Sequence, residues 1–299
     1  MLSLARDSTD NVRKGFVATM KNSKRSTKKS CPVCKQEGTL ENALPEANIY
    51  RCRSCDHAFT DLNSLDGMED YSEDYFDEEH KNWMENPNID LFDRIAEEIR
   101  RRRKRSVLDL GCGNGALLKH LSKHYPGLEL TGIDLAPNED TTGKIRYLQG
   151  DLLSYAFEQK FDVVVGLAVI EHVLDIDGFM ERIHGLLKED GLAFIMTLND
   201  RSLLYTTARV LNKVGFRTPC ERLYSKHHLN HFNKSSLRKL VELHRFRVDE
   251  HICHNIPLKA IDVPQSLVFK RLMKTGVVGL FLAGRLTGKT YLQTVVVSR

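Results

Sequence analysis

The sequence predicts an α/β fold built on a doubly wound parallel sheet, and three observations support that prediction. First, Ser106–Leu110 is an apolar run typical of a buried parallel strand. Second, this run leads into a loop with Gly111, Gly113 and Gly115, where the backbone can turn sharply and approach a ligand. Third, apolar runs alternate with stretches of helical periodicity between residues 116 and 198. Such alternation is typical of strands joined by crossover helices.

The elements of this sheet follow one another in a regular order. A helix with apolar residues from Ile89 to Ile99 precedes the first strand, and a helix with apolar positions from Ala116 to Tyr125 follows it. The later elements are strands at Leu128–Leu135, Ile145–Leu148, Phe161–Leu167 and Gly191–Leu198, with a helix at Asp177–Leu187. Ligands of doubly wound sheets bind at the carboxyl ends of the strands. The residues expected to converge there are Asp109, Asp134, Asp151 and the segment Leu167–His172.

The glycine loop by itself is compatible with more than one ligand. Gly111–Ala116 fits the G-x-G-x-x-A pattern of dinucleotide-binding loops, and Asp134 lies about twenty residues further on, where that pattern has a ribose-binding acid. Glycine-rich segments also occur as plain tight turns. The loop alone therefore leaves the ligand open.

Composition limits the classes of function. The 299 residues are enough for one substantial domain and a small accessory one. A net charge of +4 is mild for this length and does not favour nucleic acid as a partner. No run approaches the ~20 apolar residues that span a bilayer, and the amino terminus lacks the apolar core of a secretory signal. We therefore expect a cytoplasmic protein whose oligomeric state is open.

Four of the seven cysteines form two CxxC pairs. Cys31 and Cys34 make the first pair, and Cys52 and Cys55 make the second. Two such pairs bring four thiolates around one ion in a closed tetrahedral site, so residues 31–60 predict a zinc ribbon with a structural metal. A redox role would instead need a single CxxC beside a βαβ unit. His57 follows the second pair and is expected to be a surface residue, because four sulfurs already fill the site.

The chain around the ribbon divides into a leader, a linker and a main domain. Residues 1–30 are basic and poor in apolar side chains, which is typical of a disordered leader, with an organellar transit peptide as the alternative. Residues 61–88 are an acidic linker that would repel a phosphate backbone. Residues 89–299 form the main domain. The basic run Arg100–Arg105 is expected to be a solvated helix end, with an RNA or membrane contact as the alternative.

Five ordered segments resemble motifs of the class I S-adenosylmethionine-dependent methyltransferases. They are VLDLGCGNG, GIDL, QGDLLS, FDVVVGLAVIEHVLD and LLKEDGLAFIMTLN, all within residues 106–199. Five matches in order are more specific than one glycine pattern, so they separate this loop from the dinucleotide alternative. The resemblance implies a Rossmann-like methyltransferase sheet that closes with an antiparallel hairpin. Arg247–Cys253 and Tyr291–Val297 supply the two hairpin strands.

The resemblance also implies where S-adenosylmethionine binds. The implied cofactor residues are Asp109, Gly111 and Gly113 around the methionine portion, Asp134 at both ribose hydroxyls, and Asp151 with Leu152 beside the adenine. The segments IEHV and HHLNHFNKSSLRKL are similar to those of ubiquinone-pathway O-methyltransferases. Those enzymes have a metal-binding glutamate three positions before the Glu-His pair. Ala168 occupies that place here, so no divalent metal is expected at the active site.

The expected reaction is methylation of a small molecule, as O-methylation of a sugar, glycolipid or quinone-like acceptor. The ribbon with its acidic linker resembles methyltransferases of sugar, glycolipid and polysaccharide pathways. A hydroxyl acceptor needs a general base, and histidine, with an ordinary pKa of about 6.5, suits neutral pH. His172 is the first candidate, followed by His228 and His231, and each has a structural role as its alternative. The alternative functions are an rRNA base methyltransferase that contacts RNA through the ribbon, and a non-catalytic cofactor-binding protein.

Two apolar segments lie outside these motifs. Asp200–Tyr224 is predicted to form part of an acceptor wall or lid. Val277–Ala283 is flanked by basic residues and is too short to cross a membrane. It is expected to pack against the sheet, with a helix at a membrane surface as the alternative.

Overall fold

The computed structural model describes residues 27–61, 85–138, 143–261 and 267–299. The strands are β1 (Lys28–Ser30), β2 (Glu37–Ala43), β3 (Asn48–Cys52), β4 (Ala58–Thr60), β5 (Ser106–Leu110), β6 (Glu129–Asp134), β7 (Ile145–Gln149), β8 (Phe161–Leu167), β9 (Leu187–Leu198), β10 (Asn230–His231), β11 (Arg247–His254) and β12 (Leu292–Ser298). The helices are α1 (Ile89–Arg101), α2 (Ala116–His124), α3 (Ile176–Leu186), α4 (Leu203–Lys213), α5 (Thr218–Leu223), α6 (Lys234–Leu243) and α7 (Leu267–Thr287), with a 3-10 turn at Leu258–Ala260. Most of the predicted leader and linker lies outside the described residues.

The main sheet has seven strands in the order β11-β12-β9-β8-β5-β6-β7. The five strands from β9 to β7 are parallel, and β12 is antiparallel to both β9 and β11. The predicted α/β class, the doubly wound sheet and the terminal antiparallel hairpin are therefore confirmed. Strand β9 begins four residues before its predicted start, because Leu187 already pairs with Phe161 of β8.

The chain order reverses at the centre of this sheet. Strand β5 pairs with β6 on one side and with β8 on the other. In doubly wound sheets the crevice at such a reversal is where ligands bind, outside the carboxyl ends of the strands. The strands at this point are buried throughout, since all five residues of β5 are buried, as are the three valines at the centre of β8. The crevice thus has a rigid floor.

Helix α1 packs its apolar stripe against the sheet. It begins at Asn88, whose side-chain oxygen accepts a hydrogen bond from the Leu91 N–H at 3.2 Å. Its basic carboxyl end makes ion pairs within the domain. Arg101 pairs with Glu98 at 2.6 Å, and Arg102 pairs with Asp249 at 2.8 Å. The sequence predicted a solvated helix end, whereas these two arginines are held in ion pairs within the domain.

The cysteine-rich segment forms a second sheet, in the order β1-β2-β3-β4-β10. Its fifth strand, β10, comes from the main domain and pairs antiparallel with β4. This sheet begins at Lys28, before the boundary at residue 31 that the sequence suggested. The ribbon is therefore joined to the main domain by backbone hydrogen bonds as well as by side chains.

Helices α4 and α7 pack against each other near the start of β12. Tyr291 stacks on Tyr205 of α4 on one side and on Phe281 of α7 on the other, with 6.2 Å between ring centroids in both pairs. Phe281 is buried, whereas several of its neighbours on α7 are exposed. Among the described residues, no helix combines the length and hydropathy of a transmembrane segment.

Candidate active site

The glycine loop follows β5 at the chain reversal and adopts a conformation that favours glycine. Gly111, Gly113 and Gly115 all have positive φ, at +68°, +51° and +72°. A Cβ at Gly111 would lie only 2.7 Å from a methyl carbon of Val169, in the segment that follows β8. The loop therefore packs directly against the segment that follows β8, and a side chain at Gly111 would collide with Val169.

Asp134 at the end of β6 lies beside this loop. Its Oδ2 accepts a hydrogen bond from the Gly113 N–H at 2.8 Å, and its Oδ1 accepts one from the Ala136 N–H at 3.1 Å. Asn138 supports the same loop, because its Nδ2 donates to the Gly113 carbonyl at 2.7 Å. The sequence reasoning missed Asn138, which belongs to no motif. The two hydrogen bonds from the Gly113 and Ala136 N–H groups hold the Asp134 carboxylate in one orientation.

Asp109 lies under the loop and is 3% exposed. Burial, and then the charge of Asp134, raise the pKa of the Asp109 carboxyl to about 8. The group is therefore mostly neutral at pH 7 in the ligand-free protein. A cation bound above it would favour its charged form.

We expect Asp109→Asn to stabilise the ligand-free protein near pH 7 but not near pH 4. The unfolded chain releases this proton above about pH 4, whereas the folded chain keeps it up to about pH 8, so the wild type loses stability as pH rises through that window. One pKa unit corresponds to about 1.4 kcal/mol, and we expect a gain at least that large. Urea unfolding at both pH values measures it. The control is Glu129→Gln, because Glu129 is exposed at the amino end of the neighbouring strand β6. An equal effect of Asp109→Asn at the two pH values would contradict the raised pKa.

Asp151 and Leu152 lie just beyond β7. The Asp151 carboxylate accepts hydrogen bonds from the Leu153 N–H at 2.9 Å and from the Ser154 hydroxyl at 3.0 Å, so it caps the turn that it begins. Arg182 of α3 holds this turn from below, because its side chain donates to the Leu152 carbonyl at 3.2 Å and to the Tyr155 carbonyl. Arg182 was missed by the sequence reasoning, since an arginine on a helix has no motif of its own.

The segment after β8 carries Glu171 and His172. The Glu171 side chain is buried and accepts a hydrogen bond from the Thr197 hydroxyl at 2.9 Å. Burial raises the pKa of this carboxyl to about 7. The His172 Nδ1 lies 3.0 Å from the His227 carbonyl oxygen. A carbonyl can only accept, so Nδ1 carries the proton, and the neutral ring then has its lone pair on Nε2.

The structure places the three predicted bases in one row, with the rings of His228 and His231 6.4 Å apart. The rings of His172 and His228 lie 4.9 Å apart. His231 is placed differently, because it is 1% exposed in β10 and its Nε2 lies 3.0 Å from the Thr60 hydroxyl of the ribbon. Burial lowers the pKa of His231 to about 4. His231 therefore lies in the joint between the ribbon and the main domain.

The four cysteines of the ribbon lie around one point. One sulfur from each of Cys31, Cys34, Cys52 and Cys55 lies within 4.8 Å of all the others. Three of the four residues are buried. Four convergent thiols in a closed site fit a tetrahedral zinc ion, with no position left for a substrate. Zinc would hold these groups as thiolates. Without a metal the thiol form is favoured at Cys55, because the contact with Cys31 and then burial raise the pKa of its thiol.

His57 is fully buried, so the expectation that it is a surface residue is wrong. Its ring packs 4.6 Å from the Phe232 ring, and its Nε2 lies 3.4 Å from the Asn230 Oδ1. Asn230 in turn donates from Nδ2 to the Val173 carbonyl at 2.7 Å. The ribbon thus supports the segment that carries His172. The sequence could not show this, since β4 and β10 are far apart along the chain.

Thr60 makes a second contact between the ribbon and the candidate bases. Its hydroxyl donates to the His228 carbonyl at 2.7 Å, and its N–H donates to the Leu229 carbonyl at 2.9 Å. The Leu229 N–H donates at 2.7 Å to the backbone carbonyl of Glu171. The segments that carry His172 and His228 are therefore held against each other and against the last strand of the ribbon.

A buried ion cluster completes the joint. Asp200, which follows β9, is fully buried and pairs with Arg51 of the ribbon at 2.7 Å and with Arg209 of α4 at 3.1 Å. Burial opposes ionisation of Asp200, but the two arginines outweigh it and lower the pKa of the carboxyl. The first residue of the predicted acceptor wall, Asp200, therefore helps to attach the ribbon to the main domain. Contact of the wall with an acceptor remains a prediction.

The comparisons with known proteins agree with this architecture. The methyltransferase domain family matches residues 80–251, which is more than half of the chain. Ubiquinone biosynthesis O-methyltransferases of a Chelativorans species and of Rickettsia felis are 32% and 31% identical over 103 and 124 residues. These matches cover 31% and 38% of this chain, and 40% and 50% of the relatives. The chain thus spans half or less of the length of these curated relatives.

Solved structures of methyltransferases are also similar. The 1,6-didemethyltoxoflavin-N1-methyltransferase of Burkholderia thailandensis is 13% identical, with a TM-score of 0.49 over 87% of this chain and 98% of that one. A SAM-dependent methyltransferase of Archaeoglobus fulgidus is 18% identical, with a TM-score of 0.43 over 70% of this chain and 94% of that one. The family match itself covers β5 to β9, where all five ordered motifs lie. The chain therefore belongs to the methyltransferase domain family, in the class I S-adenosylmethionine-dependent group that its motifs resemble.

Proposed function

We propose that the protein transfers a methyl group from S-adenosylmethionine to an oxygen atom of a small molecule, which is a sugar, a glycolipid or a quinone-like compound. The observation that carries this proposal is the set of three carboxyl groups, Asp109, Asp134 and Asp151, at the carboxyl ends of the adjacent strands β5, β6 and β7, with Asp134 bonded to the glycine loop. The name of the relatives that match the motif region, ubiquinone biosynthesis O-methyltransferase, supports an oxygen acceptor. The resemblance of the ribbon and linker to enzymes of sugar and glycolipid pathways supports the first two acceptor classes.

The residues of the crevice fit this cofactor chemically. S-adenosylmethionine supplies an electrophilic methyl group on a sulfonium, and it carries an ammonium and a ribose diol but no phosphate. Asp109, Gly111 and Gly113 would hold its methionine portion, and Asp134 would accept hydrogen bonds from the ribose hydroxyls. Asp151 and Leu152 would flank its adenine; all six assignments follow the family resemblance. Carboxylates at a loop suit a cation better than a pyrophosphate, which helix-end amides and lysine favour.

His172 is the proposed general base for a hydroxyl acceptor. Its Nδ1 lies against the His227 carbonyl, so the neutral ring can accept a proton at Nε2. His228 is the second candidate, because its ring is adjacent. We propose a structural role for His231, since it is buried against Thr60 and its pKa is far below neutrality. The cysteine cluster is proposed to bind structural zinc, which takes no part in the reaction.

Two measurements test this function separately. Calorimetry with S-adenosylmethionine tests the site. Asp134→Ala should weaken binding at least about tenfold, because it removes the carboxylate proposed to accept hydrogen bonds from the two ribose hydroxyls. Glu129→Ala, at the other end of the same strand, should bind normally. Absence of binding, or equal losses in the two variants, would contradict the cofactor assignment.

Transfer of a tritiated methyl group into fractionated cell extracts tests the acceptor. We expect label in the lipid or sugar-nucleotide fraction and none in the RNA fraction. Label in RNA would instead identify a nucleic-acid methyltransferase. Cofactor binding without transfer to any fraction would favour a non-catalytic protein.

A further inference from the structure

One part of the surface concentrates large exposed apolar side chains. Five of the eleven in the described chain come from α4, the loop after it and α7. Their exposed fractions are Val210 57%, Val214 73%, Phe216 67%, Leu282 58% and Leu286 89%. We call these five residues the apolar platform. Single exposed apolar residues are ordinary, whereas a group of them on adjoining elements marks an interaction surface.

The two helices of the platform extend from a common point. The Leu203 N–H at the start of α4 donates to the Lys289 carbonyl, just beyond the end of α7, at 3.1 Å. Val210 is seven residues along α4 from this point, and Leu282 is seven residues back along α7. At about 1.5 Å per residue, both lie about 10 Å from it. The helices also pack against each other, so the exposed residues lie on two adjoining helices and the loop between α4 and α5.

Helix α7 is little covered by the rest of the described chain. In its stretch from residue 275 to residue 287, only Phe281 and Gly284 are buried. They face Tyr291 and the Lys289 backbone, respectively. The remaining valine and leucine side chains of this stretch are half-exposed or exposed. The sequence predicted packing against the sheet; the helix instead contacts α4, Tyr291 and the Lys289 backbone. These contacts cover one stripe of the helix and leave its other apolar positions accessible.

The charge of this region has a single sign. Residues 201–220 and 263–299 contain no aspartate and no glutamate. Besides Arg201, which pairs with Asp56 of the ribbon, four basic residues of these segments are exposed at the ends of the platform helices or just beyond them: Lys213, Arg217, Arg285 and Lys289. Apolar side chains beside cations suit a surface that is anionic outside and apolar beneath. An anionic phospholipid surface has both properties.

We propose that the apolar platform binds the surface of an anionic phospholipid membrane. Its valine, leucine and phenylalanine side chains enter the boundary between headgroups and acyl chains, and the adjacent lysines and arginines contact lipid phosphates. Helix α4 begins shortly after the carboxyl end of β9, on the edge of the sheet that carries the candidate active site. Membrane binding would therefore turn that edge towards the lipid.

Flotation of the full-length protein with vesicles tests the proposal. The protein should float with vesicles of phosphatidylglycerol and phosphatidylcholine, and much less with phosphatidylcholine alone. Added salt should weaken binding, because it screens the contacts with phosphate. The double substitution Leu282→Gln/Leu286→Gln should reduce binding about tenfold or more, since two apolar side chains are lost from the lipid contact. Leu243→Gln, an exposed leucine outside the platform, is the matched control.

The melting temperatures of the variants show whether the fold is retained. Arg285→Glu, which removes no apolar contact, should weaken binding to the anionic vesicles alone. Absence of flotation, equal flotation with neutral vesicles, or equal binding by the double variant and the Leu243→Gln control would overturn the proposal. A dimer in size-exclusion chromatography that the double substitution converts to a monomer would also overturn it, because a second copy would then cover the platform.

Discussion

Replacement of His172 by glutamine is expected to lower kcat by about 10²- to 10⁴-fold, the range typical for loss of a general base. His172 is the proposed base because its Nδ1–H is directed to the His227 carbonyl, which puts the lone pair of the neutral ring on Nε2. Glutamine is similar in size and polar, but it cannot accept a proton. The KM for S-adenosylmethionine should change little, since none of the proposed cofactor residues is replaced.

The pH profile separates loss of a base from loss of structure. Wild-type activity should fall on the acid side of neutrality, where a histidine base becomes protonated, and the variant should lack this acid limb. His124→Gln, on the exposed end of α2, is the control and should keep both the rate and the profile. A larger loss of kcat in His228→Gln would indicate that His228, and not His172, is the base. A His172→Gln enzyme with normal kcat would exclude His172.

Replacement of Asp200 by alanine is expected to lower the free energy of unfolding by about 3–5 kcal/mol, the cost typical of removing one partner from a buried ion pair. Asp200 is fully buried and pairs with both Arg51 and Arg209. Its loss removes the carboxylate that pairs with Arg209 and leaves Arg51 with its more accessible partners, Glu41 and Asp56, in the joint between the ribbon and the main domain. Denaturant unfolding of the metal-loaded protein measures this effect.

Glu41 provides the matched control for this substitution. Its carboxylate also pairs with Arg51, at 2.8 Å, but at a more accessible position. Glu41→Ala should therefore cost less than about 1 kcal/mol. The pKa of Asp200 is lowered by its partners, so the advantage of the wild type over Asp200→Ala should be full at neutral pH and should shrink as pH falls through the acid range. Equal costs for the two substitutions at neutral pH would contradict the role of burial.

The parts of the site that could be predicted depend on residues close together in sequence. The Gly111 loop, with Asp109 at the strand end before it, belongs to one continuous motif. The two CxxC pairs likewise specify their own knuckles, and the structure brings their sulfurs together. Asp134 and Asp151 could be placed because each follows an apolar run, and parallel strands bring their carboxyl ends to the same edge.

Other parts of the site could not be predicted, because they depend on contacts across the chain. His57 looked like a surface residue beside a filled metal site, yet the pairing of β4 with β10 buries it. Arg182 lies on an amphipathic helix, and nothing near it in sequence shows that it holds the turn after Asp151. The sequence ranked His172 before His228 and His231 as a base but did not distinguish the last two, whereas only His231 of the three is fully buried.

The sequence by itself therefore determined the α/β class, the glycine loop with the acids at the strand ends, and the family. These features can be predicted from hydrophobic periodicity and short motifs, each of which spans only one strand, one turn or one helix. Only the tertiary structure decided how the ribbon meets the candidate active site. The bonds that join them, Arg51 to Asp200 and Thr60 to His228, link residues 149 and 168 positions apart. Such pairs leave no local pattern, because their geometry exists only after both sheets have formed and β10 has paired with β4.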